Sequence, residues 1–233
     1  MFNKNLSKSL INLYLTSPCK FYDEVILGEK HKESEHEYTG KTIHSFVEFF
    51  WATFKNEKRA PVLKDFSVIP SENNNKLNSK FDVAISNFLN LEKKRYEYLD
   101  KKNKLDLFEP IIVEEKLIDE KNKLSGVIDF VDVNEDGSYN IVELKTNREF
   151  LFSEYWFELV FYKILLKEVK NINAKFGVVY NPVVAKFNSK EITSSDEKWC
   201  WEIINYVKKC VDENLFPHLP GKCEHEKYKF LES

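Results

Sequence analysis

From Thr39 onward the apolar residues Ile43, Phe46, Val47, Phe50, Trp51 and Phe54 return at steps of three and four, which predicts an amphipathic helix with one buried stripe. Phe81, Ile85, Phe88 and Leu89 repeat the spacing and predict a second helix from Phe81 to Leu99. Ahead of both, Ser7 to Leu27 reads as a helical opening. Leu10, Ile11, Leu13 and Tyr14 precede a break at Ser17-Pro18, and Phe21, Tyr22, Val25 and Ile26 resume the pattern. Residues 29–37 are charged, and residues 70–79 carry Pro70 and three consecutive asparagines, so both stretches are expected to be loops. After residue 105 the pattern shortens. Ile111–Val113, Gly126–Val133 and Asn140–Thr146 read as three strands in succession, Trp156–Val169 as a strongly apolar helix, and Phe176–Tyr180 as a fourth strand ended by Asn181-Pro182. Ser195-Asp196-Glu197 then opens a capped helix that carries Trp199, Ile203, Val207 and Val211. Three strands, a helix, a strand and a helix behind a helical start predict an α/β (α+β) fold, a mixed central β-sheet flanked by helices. The expected division is a helical N-terminal lobe over residues 1–105 and a core with its C-terminal tail over residues 106–233, together one compact unit.

The strand pattern also brings acids together. Asp129 and Glu143 are each seven residues from Asp136, inside a polar segment with an Asp-Gly pair that suits a three-residue hairpin loop ending in glycine. Folded about that point, the two carboxylates become near cross-strand neighbours, and Lys145 shares the Glu143 face because side chains alternate with a period of two. Adjacent carboxylates repel unless a cation lies between them, so the arrangement predicts a divalent metal. A lysine beside it suits a reaction that builds negative charge on phosphate oxygens.

Composition narrows the surroundings. With 42% hydrophobic residues, including 19 Phe, 11 Tyr and 4 Trp among 233, the chain can bury a sizeable aromatic core. A net charge of −3 excludes attraction of nucleic acid by the molecule as a whole. A contact surface would have to be local, such as Lys93-Lys94-Arg95 with Lys101, Lys102 and Lys104, a run that reads equally as a solvated helix face. No stretch approaches transmembrane length and Met1–Leu6 lacks a signal-peptide core, so an intracellular, cytoplasmic location without membrane attachment is expected. Cys19, Cys200, Cys210 and Cys223 have no paired spacing, and in a reducing compartment each is expected as a free thiol.

Taken in order, these segments resemble the PD-(D/E)XK nucleases, and within them the RecB-type branch that includes the CRISPR-associated RecB-like exonucleases. Ser9-Leu10 through Ser17-Pro18-Cys19-Lys20-Phe21-Tyr22 is similar to the family's N-terminal Cys-Pro segment, and Gly40-Lys41-Thr42-Ile43-His44 to its Gly-x-x-x-His helix. Gly126-x-x-Asp129 and Glu143-x-Lys145 match the two central motifs. Glu158-Leu159-Val160-Phe161-Tyr162 falls where the family has Gln-x-x-x-Tyr, and Phe216-Pro217 through Gly221-Lys222-Cys223 matches its C-terminal tail. The resemblance spans nearly the whole chain.

It implies a restriction-endonuclease-like core and a Mg²⁺- or Mn²⁺-dependent deoxyribonuclease, with a single-strand-preferring exonuclease of DNA repair, recombination or CRISPR and mobile-element processing as the nearest activity. Asp129 and Glu143 would hold the metal with the Leu144 backbone carbonyl and His44. Glu114 is a further candidate ligand for which Glu115 competes. Lys145 would position water and offset phosphate charge, and Tyr162 with Glu158 would orient the strand or Lys145. DNA, single-stranded or as duplex ends, is the implied substrate, and a helicase or CRISPR-adaptation protein the implied partner. Two features depart from the pattern. Ser17, Glu226 and Glu232 stand where relatives place iron–sulfur ligands and only Cys223 remains, so no cluster is expected; packing of Phe230 and Leu231 would replace it. Glu158 replaces glutamine. An endonuclease, an RNA-directed nuclease and a catalytically weak binding or scaffold subunit remain open as alternatives.

Overall fold

A computed structural model of the chain describes residues 5–28, 35–57, 76–147 and 151–216. The first helix, α1 (Lys8–Thr16), is capped by Ser7, whose hydroxyl accepts from the Leu10 N–H at 3.3 Å. Pro18 then opens the short α2 (Pro18–Phe21), where a proline costs no hydrogen bond, and a π-helical stretch (Tyr22–Leu27) ends at Gly28. Helix α3 (Glu35–Glu57) begins inside the stretch expected to be a charged loop, and α4 (Lys76–Lys101) inside the asparagine-rich one. Charge and polarity at a helix start do not oppose helix formation, because the first turn's N–H groups have no intrahelical partner and accept polar company.

Strands β1 (Ile112–Asp119), β2 (Leu124–Val133), β3 (Tyr139–Leu144), β4 (Ala174–Asn181) and β5 (Lys186–Glu191) form one sheet in the order β1-β2-β3-β4-β5. Only β3 and β4 run parallel. A parallel pair needs a crossover, and α5 (Trp156–Lys170) supplies it. Sandwiched between the sheet and neighbouring helices, α5 is buried without interruption from Trp156 to Leu166, which explains why its sequence is apolar on nearly every side, with Glu158 and Lys163 as paired exceptions. Helix α6 (Ser194–Asp212) starts at a Thr193–Asp196 capping box. One core joins α1, α5 and α6 to the sheet through Ile11, Tyr14, Leu159, Ile204, Ile128 and Val131. A second joins α3 and α4 to it through Ile43, Phe50, Phe88, Phe130, Val142 and Leu144. No helix among the described residues is long and apolar enough to cross a membrane.

The β2–β3 hairpin folds about Asp136. Phe130 pairs with Val142 and Val131 with Ile141, the Asn134 N–H donates to the Ser138 carbonyl at 2.8 Å, and Gly137 closes the loop at φ +79°. Continued by one residue, this register sets Asp129 opposite Glu143, and the β1–β2 register sets Glu114 opposite Asp129. Three acids thus lie side by side across three strands. At this line the sheet is creased. Ile128 and Val131, three apart, both face the first core, as do Ile112 and Leu117, five apart, and Glu114 between them has φ +45°. Strict alternation would forbid both pairs.

Three expectations are corrected. Strand β1 continues to Asp119, well past Val113, because Glu114-Glu115-Lys116 hides it. Strand β5 was not anticipated, since every residue of Lys186–Glu191 is exposed and carries no burial pattern. Cys19 is not a free thiol but disulfide-bonded, whereas Cys200 and Cys210 are free and buried. Sequence spacing is blind to this, because bonding follows proximity in the fold. Residues 217–233, with Cys223, Glu226, Phe230, Leu231 and Glu232, lie outside the described residues.

Candidate metal centre

The site forms where the crease of the sheet meets the starts of α1 and α5 and the flank of α3. Asp129 is 7% exposed and Glu143 only 2%. The Leu144 N–H donates to Asp129 Oδ2 at 2.6 Å, which fixes the carboxylate and leaves Oδ1 directed at His44, 3.6 Å from its Nδ1. His44 Nδ1 also lies 3.3 Å from Glu114 Oε1. His44, Glu114 and Asp129 each offer one ligand atom, and these atoms lie within 4.8 Å of one another. Burial, and then the neighbouring Glu143, pushes the Asp129 carboxyl up to about 8. Burial opposes a charge on His44, but the Glu114 hydrogen bond and the Asp129 charge prevail and raise its pKa.

Glu143 divides its two oxygens between different tasks. Oε1 accepts from Lys145 Nζ at 2.7 Å and from Lys8 Nζ at 2.5 Å. Oε2 is buried with no hydrogen-bond partner. An orphaned anionic oxygen in the interior is costly unless something fills it, and it belongs to the residue opposite Asp129, next to the hard, mostly oxygen donor set of His44, Glu114 and Asp129 that fits a divalent ion. Burial would raise the Glu143 carboxyl; Lys8 and then Lys145 overturn this and hold it below its ordinary value.

Lysines occupy the other flank. Lys145 Nζ reaches Glu158 Oε2 at 2.7 Å and lies 4.6 Å from the centre of the Tyr155 ring. Lys8 Nζ reaches Glu158 Oε2 at 3.1 Å and lies 4.9 Å from the centre of the Tyr162 ring. Both ammonium groups are held above their usual pKa, burial being outweighed first by Glu143. Gly126 explains its own place in the motif: a Cβ there would come within 2.8 Å of Tyr162 Cε1, so only glycine lets the ring lie against β2.

Of the residues singled out in the sequence, His44, Glu114, Asp129, Glu143, Leu144, Lys145, Glu158 and Tyr162 gather here. All but Glu158 line one cleft of about 1050 Å³, with Lys8, Ser9, Lys41 and Lys116 on its walls. Glu115 turns elsewhere and pairs with Lys170 at 2.5 Å. Glu158 sits among the lysines rather than in the acid group. Lys8 was missed: a lysine in a helix start carries no signal of its own, and its partners are 135 and 150 positions away. The basic run on and just after α4 is partly spent, since Arg95 pairs with Glu92 and Asp132, and Lys102 and Lys104 pair with Glu135.

The family model of the PD-(D/E)XK nuclease superfamily matches residues 5–229. Among solved structures, a "putative exonuclease" from Eubacterium rectale is similar in fold, with a TM-score of 0.56 and 14% identity over 97% of this chain and 88% of that one. No curated protein matches.

Proposed function

The chain belongs to the PD-(D/E)XK nuclease superfamily, and from that premise we propose that it is a metal-dependent deoxyribonuclease of RecB type that degrades single strands from an end. The observation that carries the reading is the split of Glu143, which stands opposite Asp129 in the strand register: one oxygen is held by lysines and the other is buried without a partner, while Asp129 itself groups with His44 and Glu114. Asp129 Oδ1, Glu143 Oε2, Glu114 and His44 would hold Mg²⁺ or Mn²⁺, helped by the Leu144 carbonyl. When bound, such an ion acidifies water and draws charge from a phosphate.

The protein's own groups supply the rest. The Leu144 N–H keeps Asp129 oriented. Lys145, fixed by Glu143 and Glu158, meets the phosphate with a rigid positive charge and orders the attacking water. That water's oxygen bonds to phosphorus as the bond to the leaving sugar oxygen breaks. One of its protons ends on that oxygen and the other passes to solvent. Glu158 and Tyr162 hold the lysine flank in place.

Exonuclease action is favoured by the order of the motifs and by the Eubacterium rectale relative, itself described as an exonuclease; DNA as substrate follows from the family resemblance. Roles in repair, recombination or CRISPR processing, with a helicase or adaptation partner, follow from the same resemblance. The test compares linear with circular single-stranded DNA, and DNA with RNA, in Mg²⁺, Mn²⁺ and chelator. Linear DNA should disappear only with metal and circular DNA should persist. Cleavage of circles or of RNA would replace the exonuclease reading, and no cleavage of any substrate would leave a binding subunit.

A further inference from the structure

We propose that Lys8 is the second cation of this centre: with Lys145 it occupies the place a second metal ion would need beside Glu143, so that the protein works with a single divalent ion on the His44 side. The chemistry rests on the nuclease reading above. The geometry stands without it.

Two-metal centres place their ions about 3.5–4 Å apart on either side of a shared carboxylate, one beside the attacking and one beside the leaving oxygen. Glu143 is the acid between two such flanks. On one flank lie Asp129, opposite Glu143 in the strand register, and Glu114, with His44 against both; the Glu143 oxygen that no lysine holds, Oε2, is buried without a partner. On the other, Glu143 Oε1 and Glu158 Oε2 each accept from both Lys8 and Lys145, at 2.5 to 3.1 Å. Two carboxylates and two ammonium groups sum to zero. A divalent ion entering this quartet would have to strip an ammonium from an oxygen it already holds and would add two charges to a neutral cluster. On the acid flank it would relieve repulsion. The electrostatics therefore select one ion and one position.

Lys8 is also placed to meet substrate. Its side chain retains 16% exposure and lines the cleft, and α1 carries it in from a separate part of the chain. A phosphate in the cleft would have the acid flank on one side and two ammonium groups on the other. The lysines would then take the charge of the leaving oxygen, the task a second ion performs in a two-metal centre.

The experiment counts ions on the full chain. Mn²⁺ titration followed by electron paramagnetic resonance should give one bound ion per wild-type chain, and two would overturn the proposal. Lys8→Met, which keeps length and loses charge, should bind a second Mn²⁺. Its cleavage should fall at least tenfold at metal concentrations that fill one site, and recover with a sigmoidal metal dependence. One ion with wild-type cleavage in Lys8→Met would also overturn it. If circular dichroism shows Lys8→Met unfolded, Lys8→Gln replaces it under the same criteria. Failure of the nuclease reading looks different: no variant would cut any nucleic acid, while the Mn²⁺ count would still separate one ion from two.

Discussion

Two buried charge clusters lean on the same sheet, and they differ in what they leave open. Under α4, Arg95 bonds Glu92 and Asp132 at 3.2 Å each and the Leu107 carbonyl at 3.1 Å, and stacks on Phe108. Burial pushes Glu92 up to about 7 although Arg95 pulls the other way. No carboxylate oxygen in that group is both buried and unpartnered. At the end of β3, Glu143 Oε2 is both. Burial and shifted titration are common to the two clusters, so neither identifies chemistry. An unpartnered carboxylate oxygen on a residue that lines a cleft does.

The contrast breaks most sharply at the acids. Asp129→Ala or Glu143→Ala should abolish cleavage and Mn²⁺ binding, a loss on the order of a hundredfold or more, while circular dichroism shows an intact fold. Lys145→Ala should lose as much cleavage but keep metal binding, and wild-type cleavage by that protein would refute the motif assignment. The α4 cluster should behave in the opposite way. Arg95→Met strands the buried Glu92 and the half-buried Asp132 and should cost about 3 kcal/mol in urea unfolding, with cleavage by the remaining folded protein unchanged.

Titration sharpens the difference further. In the metal-free protein Asp129 keeps its proton up to about pH 8, whereas in the unfolded chain it loses it near 3.8. That proton's contribution to stability is complete below the unfolded value and is lost as pH rises through the folded one. Metal must displace the proton, so Mn²⁺ affinity should rise about tenfold per pH unit on approaching pH 8 and then level off. Asp129→Asn should remove most of the pH dependence of metal-free stability between pH 4 and pH 8. The smallest effect is expected at Glu158→Gln. Freed of one carboxylate, Lys8 and Lys145 should bind single-stranded DNA a few-fold more tightly. They should also hold Glu143 more firmly and raise the metal requirement by a similar factor, roughly the worth of one charged hydrogen bond shared among several. Cleavage as fully lost as in Glu143→Ala would instead make Glu158 a ligand.

Much of this was legible in the chain because the hairpin is local. Asp136 lies midway between Asp129 and Glu143, and Gly137 provides the turn, so periodicity alone pairs the two acids. His44 and Glu114 needed the family resemblance, since a helical histidine and a strand-end acid have no pattern of their own. Lys8 was illegible for another reason: its meaning lies in partners more than a hundred positions away, and α1 shows only a capped helix. Strand β5 exists through its ladder with β4 and buries nothing, so hydrophobic periodicity has nothing to read there.

The Leu144 N–H that holds Asp129 belongs to the main chain. Leu144→Ala would open the core beneath it and keep the bond, and among point substitutions only proline deletes the donor. An alanine scan would pass over one of the contacts that matter most. The grip on the aspartate is inherited with the register of β3 rather than with any residue, so drift can retune the neighbours of the metal while the aim of this carboxylate is handed down unchanged.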